Sequence, residues 1–133
     1  MTDFSKVTAE GIAEFANAIR PLELRLPFPP STNNLHINVR GRGRVSSPDY
    51  RKWKIDAGRE LELQNPRPFS ARCEIRIDLD DKRQGDAANR EKAVVDLLVS
   101  HGVLSGDSKK YVKRVSIGWE KITGCRVMIE QAA

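Results

Sequence analysis

With 133 residues, 39% hydrophobic and 31% charged, the chain can build one modest core and is too apolar for a disordered segment. Its formal net charge of +5 admits polyanions as partners but selects none. No apolar run approaches the ~18–20 residues of a membrane span, and the opening MTDFSKVTAEG lacks a secretory pattern. We therefore expect a cytoplasmic protein with no membrane partner, and Cys73 and Cys125, far apart with no CxxC motif, as buried free thiols.

Residues 8–19 place Ile12, Phe15, Ala16 and Ile19 at helical spacing behind Thr8, and Pro21 closes the element. Residues 1–20 thus read as an N-terminal helical extension, and 21–133 as the main domain. PLELRLPF alternates Leu22, Leu24 and Leu26 against Glu23 and Arg25, a half-buried strand. In the following PFPPSTNNLHINVRGRGRVSS, Pro29 and Pro30 fix an extended backbone, and STNN can bond its own turn. Arg40, Arg42 and Arg44 then belong either to a mobile arm or to a hairpin with its arginines on one side.

Ser47-Pro48-Asp49 is a helix start, with Ser47 as cap and Pro48 in the first turn. That helix is predicted to run to Leu63, before Asn65-Pro66, with Tyr50, Trp53, Ala57 and Leu61 inward, joined by the stem of Lys54. ARCEIRIDLD reads as a second half-buried strand, with Cys73, Ile75, Ile77 and Leu79 inward and Glu74, Arg76, Asp78 and Asp80 outward. A helix is predicted from just after Asp86 to about His101, with Gly102 as its stop. Residues 111–122 and CRVMIE form two further strands around a Thr123-Gly124 turn. The order predicts an α+β (α/β-like) domain: a mixed sheet carrying two main helices, plus the extra N-terminal helix.

Asp80 and Asp81 end a strand, Lys82 and Arg83 follow, and Asp86 precedes a helix. Asp107 stands in GVLSGDSKK, beside a lysine pair. Carboxylates on loops among cations suit a Mg²⁺ site acting on phosphodiesters, since the metal needs oxygen ligands and the phosphate needs neutralising charge. Plain structural roles compete: Asp86 as a cap worth about 1 kcal/mol, and Lys92–Asp96 as a solvated i,i+4 pair. Spacing alone does not choose between them.

The residues also carry a resemblance. GDAANREKAVVDLLVSHGVLSGD resembles the D-x-D-N-x-x-K-x-x-x-D-x-L…G…D-D signature of the RusA family of Holliday-junction resolvases. LPFPPSTNN is similar to that family's L-P-(aromatic)-P-P-S-x-N start, and RGRGRVSS with a Tyr-containing helix follows in the same order. The resemblance covers roughly residues 22–130. It implies a RusA-like fold, a homodimer, branched DNA as partner, and Mg²⁺, with Mn²⁺ as a substitute. Carried over, Asp86 and Asp107 fall on catalytic, metal-binding aspartates and Lys92 on the lysine that assists at the phosphate. Asn33, Asn89 and Asp96 fall on supporting positions. Two positions depart: Ala88 stands where the family has its second metal aspartate, and Gly106 where it often has a paired acid. Glu91, three residues from Ala88 and so on the same helix face, is the most economical substitute, with Asp80 or Asp81 as others.

Reach constrains this site. A helix from Asp86 to His101 would be ~22 Å long, and Gly102 to Asp107 spans at most ~21 Å. Asp107 therefore meets the other acids in one subunit if the helix ends early, near Val99, or else across a dimer. DNA grip is expected from Arg40, Arg42, Arg44, Arg51, Lys52, Arg83, Lys109 and Lys110, joined by Lys113 and Arg114, through phosphate contacts. Tyr50, Trp53 and Trp119 read as core and Phe28 as a buried anchor, while His36 and His101 read as loop and helix-end residues. The reading is a Mg²⁺-dependent, structure-selective endodeoxyribonuclease that resolves branched DNA in recombination and repair. The alternative is a degenerate relative that binds nucleic acid without cutting.

Overall fold

Leu22, Leu24 and Leu26 are buried while Glu23 and Arg25 face water, which makes strand β1 (Leu22–Leu26) one-sided, as its alternation predicts. The computed structural model describes residues 20–133, and the predicted N-terminal helix over 8–19 lies outside them. Three further strands, β4 (Cys73–Asp80), β5 (Val112–Glu120) and β6 (Cys125–Gln131), join β1 in the order β1-β6-β4-β5. Strand β6 runs antiparallel to β1 and β4, while β4 and β5 are parallel. The sheet is mixed, as expected. Parallel neighbours cannot be joined by a hairpin, so the chain between β4 and β5 makes a crossover. That crossover carries the candidate site.

Two helices complete the layer: α1 (Pro48–Leu63) and α2 (Glu91–Ser100). Tyr50, Trp53, Ala57 and Leu61 of α1 join Ala93, Val94, Leu97 and Leu98 of α2 in one core with Cys73, Ile75, Ile77 and Leu79. The start of α1 follows its sequence signal. The Ser47 hydroxyl accepts from the Tyr50 N–H at 3.1 Å and donates to the Asn34 carbonyl at 2.6 Å, so the cap also anchors the preceding segment. That segment is a hairpin rather than an arm: β2 (His36–Val39) pairs antiparallel with β3 (Gly43–Ser46), and Arg40, Arg42 and Arg44 are exposed at and beside its turn.

Two expectations are corrected. Asp78 and Asp80, read as outward, are both buried. Asp78 is covered on the second face of the sheet by Arg126, whose guanidinium reaches its carboxylate at 2.6 Å, with Arg76 at 3.4 Å. Asp80 accepts from the Lys82 N–H at 3.0 Å and the Gly124 N–H at 3.3 Å, so its oxygens hold the ends of two loops. The second correction concerns the helix expected to begin after Asp86. Residues Ala87–Arg90 form a 3-10 turn, and the α-helix begins only at Glu91. Asp86 occupies the position before that turn, but its carboxylate makes no capping hydrogen bond.

Candidate functional site

Two segments far apart in sequence are tied together at the 3-10 turn of Ala87–Arg90. The Thr32 hydroxyl donates to the Asn89 carbonyl at 2.8 Å, and Arg90 Nη1 donates to the Pro29 carbonyl at 3.0 Å. Arg90 also donates to the Gln84 carbonyl at 3.3 Å, while its Nε is buried without a partner. Its guanidinium lies 5.0 Å from the centre of the Phe28 ring, with Arg83 at 4.5 Å. Phe28 itself stacks on Trp119 at 6.3 Å. Phe28 is thus a partly buried anchor packed against the core. Burial, then the nearby Arg83 charge, lowers the Arg90 pKa.

The PPST turn and the GDAAN turn therefore form one structural unit, and α2 leaves it in a fixed direction. Ten residues long, α2 extends ~15 Å, well short of the length expected for a helix from Asp86. It ends at Ser100, and Gly102 follows with φ +75°. The loop can then fold back. Asp107 lines the same concavity as Glu91 and Lys92 within one chain, a space of about 310 Å³. Asp96 and Ala88 also line it, and Val95, Val112 and Val115 give it an apolar side.

Lys92 Nζ lies 3.2 Å from Asp96, the i,i+4 pair anticipated from spacing, and both residues face the concavity. Tyr50, read as core, is buried but also coupled to this pair. Its phenol pKa is raised mainly by burial, then by the Asp96 carboxylate, with Lys92 pulling the other way. The sequence signal for that proximity was slight: a tyrosine in the first turn of the helix after RGRGRVSS.

Asp86 is exposed and stands outside the lining of the concavity, and Asn89 Nδ2 lies 3.5 Å from its carboxylate. Asn33 lies in a 3-10 turn (Thr32–Asn34), where its backbone N–H donates to Ser31 Oγ at 3.3 Å. Asp81 is exposed and lines a second concavity with Lys82 and Lys121. Neither Asp80, committed to two backbone donors, nor Asp81 lines the space around Lys92, whereas Glu91 does. Among the described residues, no three His, Cys, Asp or Glu side chains converge closely enough to form a preset metal cage.

No family model matches the chain, and no curated protein matches it. Its possible chemistry must be read from the residues themselves. Glu91, Asp96 and Asp107 line one space with a single lysine, and Mg²⁺ typically takes only one or two protein carboxylates, completing its octahedron with water and phosphate. Separated carboxylates fit that mode of binding and not a full protein cage.

Position 88 sharpens the point. Ala88 is exposed and lines the concavity, so a longer side chain there would enter open space. Gly106 is the opposite case: a Cβ there would sit 2.8 Å from the Tyr111 ring. Glycine is what permits this close approach, so an acid at 106 would have to displace the ring.

Of the cations expected to grip DNA, Arg40, Arg42, Arg44, Arg51, Arg83, Lys109 and Lys110 are exposed and make no ion pair among the described residues. Lys52 is instead paired with Asp56 at 2.9 Å. No helix among the described residues is long and apolar enough to cross a membrane.

Proposed function

We propose that the chain is a RusA-like, Mg²⁺-dependent, structure-selective endodeoxyribonuclease acting on branched DNA such as a four-way junction. The observation that carries this reading is the single concavity in which Glu91, Lys92, Asp96 and Asp107 meet within one chain. Glu91 and Asp107 are the oxygen donors for the metal. Asp86, exposed just before the adjoining turn and free of a capping bond, is the further donor that the resemblance implies. Mg²⁺ bound there would supply Lewis acidity, lowering the pKa of water and neutralising phosphate charge. Lys92, held by Asp96, places a positive charge where charge accumulates on the attacked phosphate. Val95, Val112 and Val115 limit water on one side. Asn89 holds the turn that precedes the helix through its carbonyl.

Because each chain carries its own acids and lysine, paired cuts in opposing strands call for two chains. A homodimer with two-fold symmetry matches the symmetry of a four-way junction. The cytoplasm, where such DNA is processed, is the proposed location. The exposed arginines of the β2–β3 hairpin, with Arg51 and Arg83, supply phosphate contacts.

A second reading has its own support. Ala88 occupies the lining where the resemblance calls for an aspartate, and no preset cage of three acids exists among the described residues. On that reading the chain binds branched DNA without cutting it. Incubating a labelled four-way junction with the wild-type protein in Mg²⁺ or Mn²⁺ separates the two. Paired nicks that disappear in Asp107→Asn support the enzyme, whereas metal-independent binding with no product at any protein concentration supports the binder.

A further inference from the structure

Several concavities mark the surface of the described residues, and carboxylates line three of them. Besides the candidate site, one lies on the second face of the sheet between Glu74, Arg76, Arg114 and Glu130, and one between Asp81, Lys82 and Lys121. Another, about 240 Å³, has no acid in its lining. Its floor is apolar, built from buried Phe69 and Leu104, and its rim carries Arg72, Lys110, Ser70 and Ser105.

Most of the donors on that rim are uncommitted. Arg72 uses Nε on the Lys109 carbonyl at 2.8 Å, which fixes the guanidinium and leaves both Nη groups without a protein acceptor among the described residues. Lys110 Nζ lies 5.3 Å from the Tyr111 ring centre and makes no ion pair there. Neither Ser70 nor Ser105 has a side-chain hydrogen bond among the described residues. The backbone of the rim is held from both sides: Phe69 N–H donates to the Val103 carbonyl at 2.9 Å, and Cys73 N–H to the Tyr111 carbonyl at 2.9 Å. Two cations, two hydroxyls and no acid on a braced frame make a site for a tetrahedral oxyanion.

Its position says which oxyanion. One loop serves both spaces, with Asp107 in the first and Ser105 and Lys110 in the second. Lys110 lies three positions beyond Asp107, at most ~11 Å of chain, which matches about three nucleotide steps at ~3.4 Å of axial rise in a duplex. We propose that this pocket holds a non-scissile phosphodiester of the same DNA strand that enters the Lys92–Asp107 concavity. The inference rests on the DNA-processing reading and extends it, by assigning Arg72, Ser70 and Ser105 to strand binding.

Fluorescence anisotropy with a labelled four-way junction in EDTA tests this without requiring cleavage. Arg72→Gln/Lys110→Gln should bind about tenfold more weakly, with the slope of log K against log salt reduced by about one to two. Ser105→Asp, which leaves both cations and the Arg72–Lys109 bond in place, should weaken binding as much by placing an anion in the pocket. Lys82→Gln/Lys121→Gln, which removes two cations beside Asp81, should change affinity less than twofold. Unchanged affinity and slope in both pocket variants, with native circular dichroism, overturns the proposal. So does perturbation of Tyr111 resonances by inorganic phosphate at fixed ionic strength while junction affinity ignores the pocket variants, since the pocket then serves a free anion. Wild-type protein that binds junctions through this pocket but never nicks them overturns the nuclease reading alone. A wild type that binds no DNA overturns both.

Discussion

Thr32 and Asn89 are 57 positions apart, yet the Thr32 hydroxyl donates to the Asn89 carbonyl at 2.8 Å. This bond joins the proline-rich turn to the segment that launches α2, and Arg90 reinforces it through the Pro29 carbonyl. The direction of α2, and with it the place of Lys92, depends on a contact between two loops. Thr32→Val should lower stability by only about 0.5 kcal/mol, because the bond is solvent-exposed. The loss in junction cleavage should be larger than that, and a comparison of Tm with cleavage rate will show it.

Ala88→Asp and Gly106→Asp both restore an acid that the RusA resemblance expects, but the fold treats them differently. Ala88→Asp extends into an open concavity and should leave Tm within about 2 °C of wild type while raising Mg²⁺-dependent nicking at least tenfold. Gly106→Asp forces its Cβ against the Tyr111 ring and should cost about 1–3 kcal/mol in denaturant unfolding.

Lys92→Met keeps the stem and removes the charge. Cleavage should fall about a hundredfold, with junction affinity in EDTA changed far less. Equal losses in cleavage and binding would reduce Lys92 to an ordinary phosphate contact.

Burial, followed by the negative charge of Asp78, pushes the Cys125 thiol up to about 12 from 9.0. A folded-state pKa raised above the unfolded value stabilises the protein fully below the unfolded pKa. That stabilisation is lost as pH rises toward the folded one. The Tm should therefore be flat with respect to this group at neutral pH and decline from about pH 9 upward. Cys125→Ala should remove part of that decline. At pH 7 a thiol reagent should modify neither Cys125 nor Cys73 until the protein is unfolded, since both are buried.

Gly124 adopts φ +73°, and a Cβ there would lie 2.8 Å from the Leu26 carbonyl oxygen. Backbone cannot swing aside as a side chain can. Gly124→Ala should cost about 2 kcal/mol or more, read as a shift in the urea midpoint.

What the sequence revealed about the fold was what neighbouring residues decide among themselves. The alternation of Cys73 to Leu79, the Ser47–Pro48 helix start and the stop at Gly102 are local signals, and each appears in the structure. Burial of Asp78 was not legible, because it depends on Arg126, 48 positions away, arriving with the neighbouring strand. Nor was the 3-10 turn at Ala87–Arg90. Two alanines read as the start of a helix, and the bonds that hold the turn come from Pro29 and Thr32. The site was legible in part. Helical spacing paired Lys92 with Asp96 and put Glu91 on a face with Ala88, but whether Asp107 could join them within one chain turned on the length of α2, which is short because it begins late, at Glu91. The acid-free pocket around Arg72 left no motif, since its rim comes from two segments more than 30 residues apart.

The openness of the wall at Ala88 has a genetic consequence. Every alanine codon that ends in a pyrimidine becomes an aspartate codon by a single base change, and at Ala88 the new side chain would extend into the concavity that this exposed residue lines. On the proposed reading, one base change would separate a chain that cuts DNA from one that only holds it, with the fold kept on both sides of the change.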